Sequence, residues 1–339
     1  SALKGGTCRK TESGLRFVWK GLSLDPDDGT VDVACGIDRN DAEHRYEFRI
    51  QVRNRSAKYG LFATEYPRLP QVIRPGSGWA VLPGGNWGAF RVRQLDYDHK
   101  DAYPSWQATM QFAAFDADAG EGLMVAALDG DARLKFLTAR KDFFVSVETP
   151  AENAGVPGAA GAPPFTVALY PYRGNWWKAA KLYRKWAQTT RWLAKGPIAR
   201  RADFPARMRN AGLWMRMMSH GALAESEKIL NAELERIGGR VPLSVHWYNW
   251  QRHPHDVLYP EYFPAQEGFA EIVARLRAKG VFVMPYVNAR IWDMRHPGFG
   301  AVRASACQKP DGSVYVERWN ERDFAAMCQS TSTWHDEVV

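Results

Sequence analysis

The hydrophobic period of the chain changes twice along its length, and that switch limits what it can fold into. Short runs rich in branched and aromatic residues recur at 15–19, 46–52, 110–115, 123–128, 143–147 and 165–170, separated by clusters of Gly, Pro, Asp and Asn. Within the run EFRIQVRN, Phe48, Ile50 and Val52 fall on one side of an extended chain and Arg49, Gln51 and Arg53 on the other. That is the pattern of a strand half covered by a second sheet, so the first part of the chain predicts a β-sandwich. The stretch 151–164, almost wholly Ala, Gly and Pro, reads as a surface loop between the last two strands. From Trp176 the period becomes helical, with Trp177, Ala180, Leu182, Tyr183, Trp186 and Ala187 near one face of a linking helix. A basic break, KGPIARR at 195–201, follows it.

Beyond the break, strands and helices alternate. Strands are predicted at 211–218, 243–247 and 281–287, helices at 223–237 and 268–279, and a further helix at 322–339 that is interrupted at 330–333. Strands separated by helices imply right-handed crossovers and a parallel sheet. The third run, VFVMPYV, is apolar at both parities, which predicts a strand covered on both sides. The expected organisation is a β-sandwich over 1–175, a linking helix and linker over 176–204, and the N-terminal portion of an α/β (β/α)₈ barrel over 205–339. A complete barrel takes about 250 residues, and the last segment supplies only about half of that, so the barrel is expected to be incomplete in this chain. An open doubly wound sheet is the rival, but no GxGxxG follows a strand and no GxxxxGK[ST] occurs.

Composition narrows the class of function. No apolar run approaches the roughly 18 residues of a membrane span, and 45% apolar content fits a soluble globular chain. The net charge of +8 comes from basic residues interleaved with 37 acids, not from blocks, which argues against nucleic acid as a partner. Cys8, Cys35, Cys307 and Cys328 show neither CxxC spacing nor a His cluster, so no metal site is expected; a Cys8–Cys35 bridge and buried thiols both stay open. The chain lacks an initiator Met and an apolar leader, so Ser1 reads as a processed or trimmed start. A secreted or periplasmic bacterial setting is the expectation. Fourteen Trp raise the prior for sugar rings, whose apolar faces suit indole.

In (β/α)₈ barrels, ligands bind where the strands end. After the second strand the chain reads His246-Trp247-Tyr248-Asn249-Trp250, then QRHPHD to Asp256 and YPEYFP to Pro264; after the third it reads Asn288-Ala289-Arg290-Ile291-Trp292-Asp293. Hydrogen-bonding groups beside aromatic faces are what carbohydrate recognition needs. Each has a plainer interpretation. Trp247 and Tyr248 would equally close a barrel mouth, His246 would equally be an interior histidine, and His253 and His255, two apart around Pro254, are common in loops. Extended alternation puts Tyr286, Asn288 and Arg290 on one side. Asp256 and Asp293 are the carboxylates of interest, unless an Arg partner such as Arg252, Arg290 or Arg295 makes either one structural.

The segments VPLSVHWYNWQRHPHDVLYPEYFP and GFAEIVARLRAKGVFVMPYVNARIWD, with YPSWQATMQFAAFD, GLMVAALDGDARLK and YRGNWWKAAKLYRKWA upstream, resemble the bacterial family catalogued as domain of unknown function 6259, which looks like glycoside hydrolases. The resemblance implies a sandwich similar to galactose mutarotase on a retaining-type barrel laid out like alpha-galactosidases and endo-alpha-N-acetylgalactosaminidases. In such barrels the nucleophilic Asp stands at the end of strand four and the general acid further on. Ala289 departs from the family, whose members tend to show Gly there. The expected function is therefore glycoside hydrolysis of O-glycosidic bonds by two carboxylates, without a cofactor, both carboxylates lying beyond Val339 and the chain alone being inactive. His246, Trp247, Asn249, Trp250, Asp256, Tyr286, Asn288, Arg290, Trp292 and Asp293 are the candidate substrate-binding residues, with Trp247, Trp250 and Trp292 stacking on rings. A non-catalytic carbohydrate-binding protein is the alternative.

Overall fold

Alternating side chains in the first half of the chain build two antiparallel sheets in the computed structural model, which describes residues 5–338 except 73, 75, 85–87, 94, 96, 97, 106, 143, 211, 219–221 and 310. Phe143 and Ala211, where two strands were predicted to start, lie outside the described residues. The chain divides into two compact units, residues 1–196 and 197–339. In the first, a nine-stranded sheet runs in the order Thr7–Lys10, Gly14–Leu22, Val31–Asn40, Arg45–Asn54, Thr166–Arg173, Glu121–Leu128, Phe112–Ala117, Gly78–Gly84 and Gly88–Val92. A four-stranded sheet runs Ala63–Leu69, Val145–Pro150, Lys135–Ala139 and His99–Tyr103.

One parity of each sheet meets the other. Phe48, Phe115, Val125 and Val167 from the larger sheet pack on Leu137, Ala139, Val145 and Val147 from the smaller, so the main core lies between two layers. The opposite parity of the larger sheet, Phe112, Met124, Ala126 and Tyr170, is covered by the helix Trp176–Ala187. That helix starts where Asn175 Oδ1 accepts the Trp177 amide at 3.0 Å and Asp116 Oδ2 the Trp176 amide at 2.8 Å. Its buried face is carried by Ala179 and Ala187, whereas Trp177 is 57% exposed. Periodicity placed Trp177 on the inner face; the small Ala side chains instead let the helix lie close against the sheet. A Cys8–Cys35 bridge is ruled out by strand order, because Phe17 pairs with both residues and stands between them. Two strand spacings, about 9–10 Å, exceed the reach of a disulfide.

The second unit opens on three parallel strands in the order Leu213–Met218, Leu243–Tyr248, Phe282–Pro285. The helices Leu223–Ile237 and Phe269–Ala278 are the crossovers, the first stopped by Gly238 in the left-handed region at φ 60°. Met217, Leu243, Val245, Trp247 and Val281 face these helices and bury Leu230, Ile237, Ile272 and Leu276. The other parity carries Trp214, Arg216, His246, Tyr248, Phe282 and Met284, none of them buried. The third strand is thus covered on one side only among the described residues. The predicted helix over 322–339 is corrected as well. Residues Arg322–Ala326 form a strand between Ile291–Asp293 and Val316–Trp319 in an antiparallel sheet, and only Ser332–Val338 is helical. The reason is packing, since Phe324 is fully buried against Tyr259 and Ile291, and Ala325 packs in the Trp292 and Trp334 cluster.

The sandwich encloses a fully buried ion pair. Lys135 Nζ donates to Asp129 Oδ2 at 2.8 Å, both side chains are buried, and Tyr103 and Phe165 flank the ammonium at 4.8 and 4.9 Å. Burial by itself would raise the Asp129 carboxyl, but Lys135 and the amides of Asp131 and Arg133 outweigh it and hold it below the ordinary value. Asp129→Asn leaves the ammonium uncompensated and should lower unfolding free energy by about 3–5 kcal/mol at neutral pH. Because the folded carboxyl is depressed, its contribution is complete above the unfolded value near about 3.9 and fades as pH falls through the lower folded one. Urea unfolding should therefore show the gap between wild type and variant shrinking below about pH 4; a gap independent of pH would contradict an ionised pair.

Candidate functional site

Strand parity builds the floor of the site. Val245 and Trp247 turn toward the helices, so His246 and Tyr248 turn to the open face, in register with Arg216 and Met218 of the first strand. Tyr286 follows the third strand and extends its ladder by one bond, its amide donating to Trp247 O at 2.8 Å. Tyr248 and Tyr286 stack with ring centroids 4.3 Å apart and planes 15° from parallel. His246 lies 4.8 Å from Tyr248 and 5.8 Å from Tyr286, and the Arg216 guanidinium sits 5.9 Å from the Tyr248 ring centroid. The result is a half-exposed aromatic platform at the C-terminal ends of two parallel strands.

The loop after the second strand supplies the rim. Asn249, Asp256 and Leu258 all have positive φ, 53°, 58° and 55°, which turns the chain back over its own strand. Asn249 Oδ1 accepts the His255 amide at 2.7 Å, and Gln266 Nε2 donates to Asn249 O at 2.7 Å. His255 thereby comes within 5.2 Å of both Tyr248 and Tyr286. Tyr259 Oη accepts the Asp256 amide at 3.1 Å and lies 2.9 Å from His255 Nδ1. His255 Nε2 lies 3.4 Å from Asp256 Oδ1. The second Asp256 oxygen accepts Asn320 Nδ2 at 2.6 Å. Asn320 and Glu321, with φ 46° and 62°, are the two-residue turn between Val316–Trp319 and Arg322–Ala326. A hairpin tip distant in sequence thus reaches the carboxylate.

Electrostatics keep the platform neutral. Burial, then the Arg216 charge, pushes His246 below its ordinary value, so it is a neutral imidazole at neutral pH. Burial pushes the Tyr259 and Tyr286 phenols up, so both keep their protons. The cluster therefore offers hydroxyl, imidazole and amide donors, one carboxylate acceptor and aromatic faces. Among the described residues no group of three or more His, Cys, Asp or Glu is placed to hold a metal ion.

The structure separates the predicted residues into two groups. His246, Asp256, Tyr286 and Asn288 come together: Asn288 Nδ2 donates to Tyr286 Oη at 3.1 Å, while the Asn288 amide donates to Tyr262 Oη at 2.6 Å. The other six do not line the platform. Trp247 is fully buried under the helices beside Phe269. Trp250 is buried between Tyr262 and Phe269, its Nε1 donating to Tyr286 O at 2.7 Å, and Trp292 is buried against Trp334. A ring-stacking role for these three indoles is corrected accordingly, because none shows a free face. Asn249 is a buried loop anchor. Arg290 is turned away by the bond from its amide to Asn288 Oδ1 at 3.0 Å, and its guanidinium pairs with Glu317.

Asp293 has no exposed surface; its carboxylate accepts the amides of Leu258 at 3.0 Å and Arg295 at 2.9 Å and lies 3.3 Å from the Arg322 guanidinium. Sequence reasoning weighed Tyr248 and His255 without counting them as candidates and passed over Tyr259, Arg216 and Asn320. Parity signals the first, since Tyr248 lies two residues beyond His246; nothing local signals Asn320. Asp293→Ala, which removes a buried carboxylate that three part-buried donors share, should lower unfolding free energy by about 1–3 kcal/mol. Asp256→Asn, at a left-handed position that Asn tolerates well, should change it by less than about 1 kcal/mol. Denaturant titration of the two variants checks this, and equal losses would contradict the division into frame and platform.

Residues 162–339, more than half of the chain, match the family described as Domain of unknown function (DUF6259). A Monosiga brevicollis protein named "Putative glycoside hydrolase" is 31% identical over 89% of this chain and 28% of its own length. A Bacteroides thetaiotaomicron protein of the same name is 27% identical over 98% of this chain and 49% of its own. The chain thus spans about half or less of these curated relatives. Among solved structures, an alpha-N-acetylgalactosaminidase from Bifidobacterium bifidum in complex with GalNAc superposes with TM-score 0.70 at 11% identity, over 98% of this chain and 59% of that one. An alpha-galactosidase from Thermus thermophilus in complex with p-nitrophenyl alpha-D-galactopyranoside gives 0.51 at 13%, over 98% and 60%. These likenesses are likenesses of fold. With the strand-end platform inside the matched segment, the chain belongs to the family described as Domain of unknown function (DUF6259).

Proposed function

We propose that the chain is part of a retaining glycoside hydrolase acting on O-glycosidic bonds, in which the Tyr248, Tyr286 and His246 platform holds a sugar ring beside Asp256. The observation that carries this is the half-exposed aromatic stack at the strand ends with a carboxylate and an amide at its rim. The three parallel strands are taken as the opening strands of a (β/α)₈ barrel that follows a galactose mutarotase-like sandwich along the chain. Their uncovered parity, with Trp214, Arg216 and Phe282, supports this, since it is the face a closed barrel fills. Hydrolysis with retention needs two carboxylates about 5–5.5 Å apart. Asp293 is locked in the frame and Asp256 is held by Asn320, so the nucleophile and the general acid are assigned to strands beyond these three.

The roles follow from the contacts. Asp256 and Asn320 would take sugar hydroxyls, neutral His246 and Tyr286 Oη would donate or accept as the ring demands, and Asn288 would orient Tyr286. Binding without cleavage is the second reading, and it is favoured by the same commitment of both carboxylates. One assay separates the two. On a panel of aryl α- and β-glycosides, the full-length parent should turn over at least one substrate, the 339-residue chain none, and Tyr286→Ala or Asp256→Asn in the parent should lower kcat/KM by about 10- to 100-fold. Affinity of the parent for glycans without turnover would establish the binding protein instead, and turnover by the 339-residue chain would show that the catalytic carboxylates lie within it.

A further inference from the structure

The hairpin whose tip carries Asn320 also sets a half-exposed indole beside the rim of the platform. Glu317 stands opposite Phe324, and Trp319 opposite Arg322. Residues directly opposite in an antiparallel pair share a face, as do residues two apart in one strand. Glu317 and Trp319 therefore lie on the face that Phe324 buries against Tyr259, the loop residue whose Oη is 2.9 Å from His255 Nδ1. The next residue, Asn320, donates to Asp256 Oδ2 at 2.6 Å. Trp319 thus stands one residue outside the rim, about 3.8 Å away between Cα atoms, and it is 50% exposed.

The indole is held in place. Its Nε1 donates to Glu317 Oε2 at 3.0 Å, and the other Glu317 oxygen pairs with the Arg290 guanidinium. An exposed Trp without such a bond loses rotamer freedom when a ligand settles on it; here the ring is already ordered in the free protein. Its donor is satisfied and the Glu317 charge is met by Arg290, so the indole offers an apolar face to whatever lies beside Asn320. We propose that Trp319 is the stacking surface for a second, uncharged sugar unit, next to the ring held on Tyr248 and Tyr286, so that the ligand is an oligosaccharide and not a lone glycosyl residue. This rests on the proposed function, because the ring on the platform fixes where the second unit lies.

The test is binding, read by isothermal titration on the full-length parent. The probes are the methyl α- and β-glycosides of glucose, galactose, mannose and N-acetylgalactosamine, each set against thio-linked disaccharides with the same sugar at the non-reducing end, which resist hydrolysis. For a sugar that binds, the disaccharide should bind about 3- to 10-fold more tightly than its methyl glycoside. Trp319→Ala should erase that gain, so that the two probes bind alike, and Trp319→Phe should keep most of it. Tyr286→Ala should weaken both probes. No disaccharide gain in the wild type, or a gain that survives Trp319→Ala, would overturn the second unit while leaving the platform in place. A wild type that binds neither kind of probe would overturn the platform reading, and this proposal with it.

Discussion

The buried carboxylate of Asp293 fixes how the pieces of the second unit meet. Its two oxygens take up an amide from the loop after the second strand, an amide from its own segment and a guanidinium from the hairpin. These groups come from Leu258, Arg295 and Arg322, three part-buried donors from separate segments that share one acceptor. Because Leu258 and Arg322 are held to the same carboxylate, Asp256 and Asn320, two residues away from each of them, are brought within one hydrogen bond. The rim of the platform is in this sense a consequence of one burial. The cost of putting a charge inside is offset by three donors at 2.9–3.3 Å.

The platform itself rests on parity. In the strand Leu243–Tyr248, every second side chain is committed to the helices, and the remainder has no choice but the other face. This constraint was legible in the sequence, as were the sandwich strands, the helix Leu223–Ile237 with its glycine stop, and the order of strand and helix along the second unit. Period and turn residues are local signals, and the local structure obeys them. His246, Asp256, Tyr286 and Asn288, expected near the strand ends, stand together there. Parity read strictly would also have exchanged Trp247 for Tyr248, because adjacent residues in a strand cannot both face a ligand.

What the sequence hid is tertiary. Trp250 and Trp292 look like sugar-stacking residues by type, but burial is decided by what packs on them, and here it is Tyr262, Phe269 and Trp334. The strand Arg322–Ala326 has charged residues at its start and Ala at its end, a composition equally suited to a helix; only the pocket for Phe324 beside Tyr259 and Ile291 selects the extended form. Asn320 arrives at Asp256 across 64 positions of sequence, through a turn whose second residue, Glu321, carries no local sign of positive φ. Arg290 was misjudged for a related reason, since the strand ends at Pro285 and the alternation that would have aimed it at the platform ends with it.

The claim at the centre is that a sugar ring sits on Tyr248 and Tyr286 while chemistry is delivered from strands beyond the three described here. A crystal structure of the full-length parent trapped with a 2-deoxy-2-fluoro glycoside measures both parts at once. The prediction is a ring against the Tyr286 face, a hydroxyl within hydrogen-bonding distance of Asp256, and a covalent bond from the anomeric carbon to a carboxylate outside residues 1–339. A sugar bound away from this platform, or bonded to Asp256 or Asp293, would contradict it.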